Sequence, residues 1–304
     1  MKNIAIIVIG FLLLISFNSN AQDTSALFSI NGTQLFIKTI GEGDPILIVH
    51  GGPGLTHEYL LPHIADLSKN HKLIFYDQRS SGRSQLSVKA NMNFNVFAED
   101  IESIRKFFNI NKLNILCHSW GALPVATYMI NYPENVNSIV FVNPVPMNKT
   151  LAAESITIVQ ERISPADSLK RLELLRSPGF QQGELAVVND LMLLSFKQLF
   201  CDTNNLALLD PHLPSDYLIA SLSLYGFTED MKKYNFLTQI KDNLTPVLII
   251  RGACDISPAN ADEQFKACFS NATLEILEKS GHFSFIEQNK EFLKVVNKFY
   301  KGMN

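Results

Sequence analysis

Apolar runs and amphipathic stretches alternate along most of the chain. Residues 26–31 and 33–40 read as two strands about the turn Asn31-Gly32, a hairpin signal. Further strands are expected at 45–49, 72–76, 112–116 and 137–142. Between them lie stretches of helical character at 57–69, 95–109 and 122–131. In the second of these, Val96, Ile101, Ile104 and Phe108 share one side while Glu99, Glu102 and Arg105 lie outside. Strand and helix alternate from Pro45 to Val142, the pattern of a parallel sheet with helices on both faces. After Asn143 the alternation stops. Residues 144–241 hold no convincing strand and look helical, with breaks at Pro165, Pro178-Gly179, Pro211 and Pro214. The sheet pattern returns at 246–250 and 273–277, and a helix at 288–301 closes the chain. The expectation is one α/β core, residues 22–143 and 242–304, with a mostly parallel eight-stranded sheet and residues 144–241 inserted as a helical cap.

The N-terminus stands apart from this pattern. Lys2 supplies a positive start, residues 4–15 an apolar run, and Ser19-Asn20-Ala21 a small-x-small cleavage site. That reads as a secretory signal peptide over residues 1–21, with a run short for a membrane span and no following cysteine to take a lipid. The expected location is therefore outside the cytoplasm, periplasmic or secreted, with no stable membrane association after cleavage. At 304 residues, 46% hydrophobic and 18% charged, the chain is large enough for a sizeable core. A formal charge of −3 gives no reason to expect nucleic acid or an anionic membrane as partner.

Composition adds little about cofactors. No His/Glu zinc spacing is present, and the glycines at 50–54 lack the spacing of a dinucleotide fingerprint, so neither metal nor cofactor is expected. The four cysteines, Cys117, Cys201, Cys254 and Cys268, form no disulfide framework; Cys254 and Cys268 could pair.

The chemistry lies where strands end. Cys117-His118-Ser119-Trp120-Gly121 joins a strand to a helix, and a serine at such a sharp turn has its hydroxyl thrust outward. Cys117 stands where G-x-S-x-G has its first glycine; cysteine is small enough for the turn to close. Asp255 lies just beyond the strand at 246–250, and His282 in the exit loop after 273–277. Ligands of open α/β sheets bind at the carboxyl ends of strands, so Ser119, Asp255 and His282 are expected to converge on one edge. His118 reads as structural, and His57, His63, His71 and His212 give no constellation. Asp77 and Arg79 read as a charge pair bracing nearby loops.

The order Ser…Asp…His, with acid and base after the last two strands, resembles the α/β-hydrolase fold over nearly all of the mature chain. Closer still, His50-Gly51-Gly52-Pro53-Gly54, the loop Asp77-Gln78-Arg79…Gly82…Ser84 and Ser119-Trp120-Gly121 together resemble the proline iminopeptidase family of serine aminopeptidases. The resemblance implies a Ser119–His282–Asp255 triad and an oxyanion hole made by the N–H groups of Trp120 and Gly52. It also implies acidic cap side chains that hold a substrate's amino group. Glu161, Glu173, Glu184, Glu229 and Asp230 lie in the cap region, but none sits in a recognisable amine-binding motif. Three functions therefore remain open: an exported aminopeptidase releasing N-terminal proline or another small apolar residue from short peptides, a carboxylic ester or lactone hydrolase, and a non-catalytic binding protein. The expected partner is a small molecule or short peptide.

Overall fold

The computed structural model describes residues 23–87, 92–224, 228–240 and 243–302. The expected signal peptide and the end of the expected cap at 241 lie outside the described residues. The hairpin strands are β1 (Thr24–Ile30) and β2 (Thr33–Ile40), followed by β3 (Asp44–Val49), β4 (His71–Tyr76), β5 (Leu113–His118) and β6 (Val136–Val142). The last two are β7 (Val247–Gly252) and β8 (Ala272–Leu277). They form an eight-stranded sheet in the order β1-β2-β4-β3-β5-β6-β7-β8. Only the β1–β2 and β2–β4 pairings are antiparallel; from β4 to β8 every neighbour is parallel.

The period-two alternation of strand side chains divides the core into two layers. Leu47, Val49, Ile115, Cys117, Ile139, Phe141 and Ile249 face one side, against α1 (Phe94–Phe107) and α2 (Ala122–Asn131). Ile46, Ile48, Leu116, Val140, Leu248 and Ile250 face the other, against Leu60, Ile64 and the closing helix Asn289–Lys301 through Phe292, Val296 and Tyr300. A sheet covered on both faces needs strands apolar throughout, which is why these runs are nearly continuous.

Between β6 and β7 the described residues form helices: α3 (Lys149–Arg162), α4 (Pro165–Arg176), α5 (Leu185–Phe196), α6 (Tyr217–Leu224) and α7 (Thr228–Lys233), with shorter turns among them. The expected breaks fall between these helices: Pro165 and Pro178 each open a new helical segment, and Pro211 and Pro214 lie in the non-helical stretch 209–214. Pro165 is the first residue of α4, where its missing N–H costs nothing, and Ser164 caps that helix by accepting from Asp167 N–H.

Three expectations are corrected. The helix expected at 57–69 is a 3-10 turn His57–Tyr59, one α-turn Leu61–Ile64 and a second 3-10 stretch Ala65–Lys69. Pro62 has no N–H to extend a helix begun at His57. Cys254 bonds to Cys201, not to Cys268, which is a free, buried thiol whose Sγ lies 3.3 Å from Leu237 O. Asp77 and Arg79 do not pair with each other. Arg79 grips Asp100 with two nitrogens (Nε–Oδ2 2.6 Å), and Asp77 takes His57.

Phe141 tests the sheet–helix packing most directly: it is fully buried in β6 and meets the Phe265 ring edge-on at 4.8 Å. Phe141→Ala should cost about 3–5 kcal/mol of unfolding free energy in a denaturant titration. Leu27→Ala, at a residue 53% exposed in β1, should change it by no more than about 0.5 kcal/mol. Equal losses at the two sites would contradict the two-layer core.

Candidate active site

The carboxyl ends of β5, β7 and β8 supply three side chains that meet. β5 ends at His118, and Ser119 follows with φ 53°, the left-handed backbone of a strained turn, before α2 begins at Ala122. The turn closes because Gly121 lies against the end of the neighbouring strand β3. A Cβ there would be 2.5 Å from His50 O and 2.7 Å from Val49 O. Cys117, where a glycine was anticipated, is still within β5, and its side chain is buried in the sheet–helix layer. Burial pushes its thiol well above the usual value, leaving a packing residue.

Ser119 Oγ lies 2.7 Å from His282 Nε2, and His282 Nδ1 lies 2.9 Å from Asp255 Oδ1. Asp255 is 4% exposed and His282 6%. Burial by itself would raise the Asp255 carboxyl. The charge and hydrogen bond of His282, with donors from Asn143 Nδ2 (2.8 Å) and Ile256 N–H (2.6 Å), outweigh it and hold the group below its usual value.

Asn143 is a site residue that the sequence reading passed over. It stands one residue past β6 with φ 43°, a conformation asparagine tolerates. Its Nδ2 also donates to Gly281 O at 3.1 Å, and its Oδ1 accepts from Ser284 Oγ at 2.6 Å. The sequence signal was slight: an amide at the carboxyl end of the strand between those of Ser119 and Asp255.

A second line of hydrogen bonds supports the site from behind. Gly51 N–H donates to Tyr59 OH (2.7 Å), which pairs with His118 Nδ1 (2.7 Å), while His118 Nε2 meets His282 O at 3.0 Å. Burial lowers His118 to about 3, so it stays neutral, with Nε2 protonated to donate to the carbonyl. His50 is likewise lowered by burial, to about 4, and its Nε2 accepts Gln78 N–H at 3.0 Å. The Gly51 N–H is thus already used. The Gly52 N–H has no hydrogen-bond partner among the described residues.

The site opens into a cavity of about 320 Å³ under the cap, walled by Trp120, Leu123, Val145, Ile156, Val159 and Met231. Among the described residues its one carboxylate is Asp255. The cap acids lie elsewhere: Glu161 and Glu184 are exposed, Glu173 pairs with Lys170 at 3.1 Å, and Asp230 accepts Phe94 N–H at 2.7 Å. The Glu229 side chain is outside the described residues. No group of three or more His, Cys, Asp or Glu suited to a metal occurs among the described residues.

Two buried aspartates set an acid limit on stability. His57 holds Asp77 below its usual value of 3.8 against the opposing effect of burial, as His282 does for Asp255. A depressed carboxylate stabilises the fold fully above its unfolded value, about 4, and that contribution is lost as pH falls through the lower folded value. Asp77→Asn should therefore be less stable than the parent at pH 7 but lose less on going to about pH 2–3, measured by urea unfolding. Parallel losses in both proteins would exclude Asp77 as a source.

Known proteins resemble this chain over most of its length. A family model described as alpha/beta hydrolase fold matches residues 44–288. The chain is 28% identical over 278 residues to a proline iminopeptidase of Heyndrickxia coagulans, covering 86% of this chain and 92% of that one. It is 25% identical over 293 residues to one of Clostridioides difficile (strain 630), covering 91% and 97%. The crystal structure of a Mycobacterium smegmatis proline iminopeptidase superposes with TM-score 0.69 at 18% identity, over 92% of this chain and 98% of that one. The chain belongs to the α/β-hydrolase fold family, as a proline iminopeptidase-like serine hydrolase.

Proposed function

We propose that the chain is an exported aminopeptidase that releases N-terminal proline or another small apolar residue from short peptides, with Ser119, His282 and Asp255 as its catalytic residues. The observation that carries this reading is the unbroken Ser119–His282–Asp255 line opening into an apolar cavity. Relatives named proline iminopeptidase, matched over most of their length, support the choice of substrate.

The mechanism follows from acyl transfer. A serine hydroxyl is a weak nucleophile near neutral pH, so His282 Nε2 takes its proton as Oγ attacks the scissile carbonyl. Asp255 holds the Nδ1–H tautomer and stabilises the imidazolium that forms. The oxyanion is met by the N–H groups of Trp120 and Gly52, each worth about 3–4 kcal/mol in such a site. His282 then gives its proton to the leaving amine, and water repeats the sequence on the acyl-enzyme. The cavity's neutral wall suits a pyrrolidine ring or an aliphatic side chain, because burial of apolar surface supplies the binding energy.

A second reading, hydrolysis of carboxylic esters or lactones by the same residues, is favoured by one observation. Among the described residues the cavity offers no carboxylate beyond Asp255, whose oxygens are already engaged, to receive a substrate ammonium. Export is supported by the Lys2, 4–15 and Ser19-Asn20-Ala21 pattern and by the Cys201–Cys254 disulfide, a bond that persists in oxidising compartments.

Kinetics on proline and alanine aryl-amides beside short-chain aryl esters separate the two readings. The aminopeptidase reading expects kcat/KM to be highest on the proline amide, and an ester-only profile would replace it. In either case Ser119→Ala should lower kcat by about 10⁴-fold or more and abolish labelling by a fluorophosphonate. Retained turnover would remove Ser119 from the mechanism.

A further inference from the structure

One short cap segment grips both loops that carry the proposed acid and base. His282 N–H donates to Leu199 O at 2.8 Å. Two residues on, Cys201 is bonded to Cys254, the residue before Asp255. The Glu287 carboxylate ties the same segment to the histidine loop, accepting from Cys201 N–H (3.0 Å), Asp202 N–H (2.9 Å) and Gly281 N–H (2.6 Å). The approach is close enough that a Cβ on Gly281 would lie 2.2 Å from Leu199 O.

Arg162, the last residue of α3, spans this junction. Its Nη1 donates to Cys254 O (2.8 Å) and Gln198 O (3.2 Å), and its Nη2 to Asp255 O (3.2 Å). No ion pair joins Arg162 to a carboxylate among the described residues. Its rigid fork is used to bridge main-chain carbonyls of the acid loop and the cap.

We propose that Arg162 and the Cys201–Cys254 disulfide are a positioning device for Asp255, so that opening the disulfide slows turnover without weakening substrate binding. This rests on the triad reading given above. Asp255 acts only while its carboxylate stays aligned with His282 Nδ1, and its backbone is held by the cap as well as by the core loop. A dithiol reductant would break the S–S bond by thiol–disulfide exchange, delivering two electrons, leaving thiols at Cys201 and Cys254, and ending as a cyclic disulfide. Among the described residues, the hydrogen bonds left between the acid loop and the cap would then be those of Arg162.

The test uses the full chain, with kcat and KM measured on whichever aryl-amide or aryl ester it turns over, and the rate of fluorophosphonate labelling of Ser119. Cys201→Ser/Cys254→Ser, Arg162→Gln and Arg162→Lys are compared with the parent before and after dithiothreitol, with disulfide opening verified by the mass gain on thiol alkylation. Since small misplacements of catalytic groups are costly, the reduced parent, the double serine variant and Arg162→Gln should each lose about tenfold in kcat and labelling rate, with KM within about twofold. Arg162→Lys, which keeps a donor for one carbonyl, should recover most of the loss. Reoxidation should restore the parent, and the double variant should ignore dithiothreitol. Unchanged kcat in the verified reduced parent, or a loss carried by KM, overturns the proposal; the reversible reduction of native protein answers the question even if a variant folds poorly. An active Ser119→Ala sinks the triad reading itself, whereas an inactive one beside an unaffected Arg162→Gln sinks only the positioning role.

Discussion

Three side chains separated by 136 and 27 positions in the chain, Ser119, Asp255 and His282, form one hydrogen-bonded line, and much of the molecule serves to keep it straight. Each belongs to a loop at the carboxyl end of a parallel strand, and loops are the mobile part of such folds. Their alignment therefore depends on cross-links between them. Asn143 supplies the central one, bonding the Asp255 carboxylate, the Gly281 carbonyl and the Ser284 hydroxyl from a single side chain. Strand order makes this possible, because β6 lies between β5 and β7 and delivers Asn143 between Ser119 and Asp255.

Charge at the site is confined by burial. His118 and His50 are enclosed and neutral, so each acts as a donor on one nitrogen and an acceptor on the other. That leaves His282 as the imidazole in contact with both a hydroxyl and a carboxylate. The same burial that neutralises His118 would neutralise Asp255, were it not for the three donors around it. A low-dielectric pocket thus keeps an anion, and it does so beside the imidazole of His282.

The cap contributes both a wall and a clamp. Val159 and Ile156 of α3 face the cavity, while Arg162, at the end of the same helix, holds the main chain at Cys254 and Asp255. The apolar cavity wall and the polar hydrogen-bonded line at Ser119 thus lie side by side, two different kinds of contact surface at one opening.

Periodicity along the chain was enough to reveal the eight strands, the alternation that forces a parallel sheet, and the helical insertion, because burial on two faces imposes a local pattern on every strand. The strand-to-helix serine and the acid and histidine at strand ends were legible for the same reason: a carboxyl terminus of a strand is a position along the chain before it is a position in space. What was illegible depended on neighbours far apart in sequence. The partner of Cys254 proved to be Cys201, 53 residues away, brought there by the cap's return over the sheet. Asp77 and Arg79, two residues apart, bind His57 and Asp100 instead of each other, partners 20 and 21 positions away that only folding brings to them. Asn143, Tyr59 and Arg162 acquired roles only through contacts across loops, and no local pattern encodes a contact whose two halves are set by the packing of the whole chain.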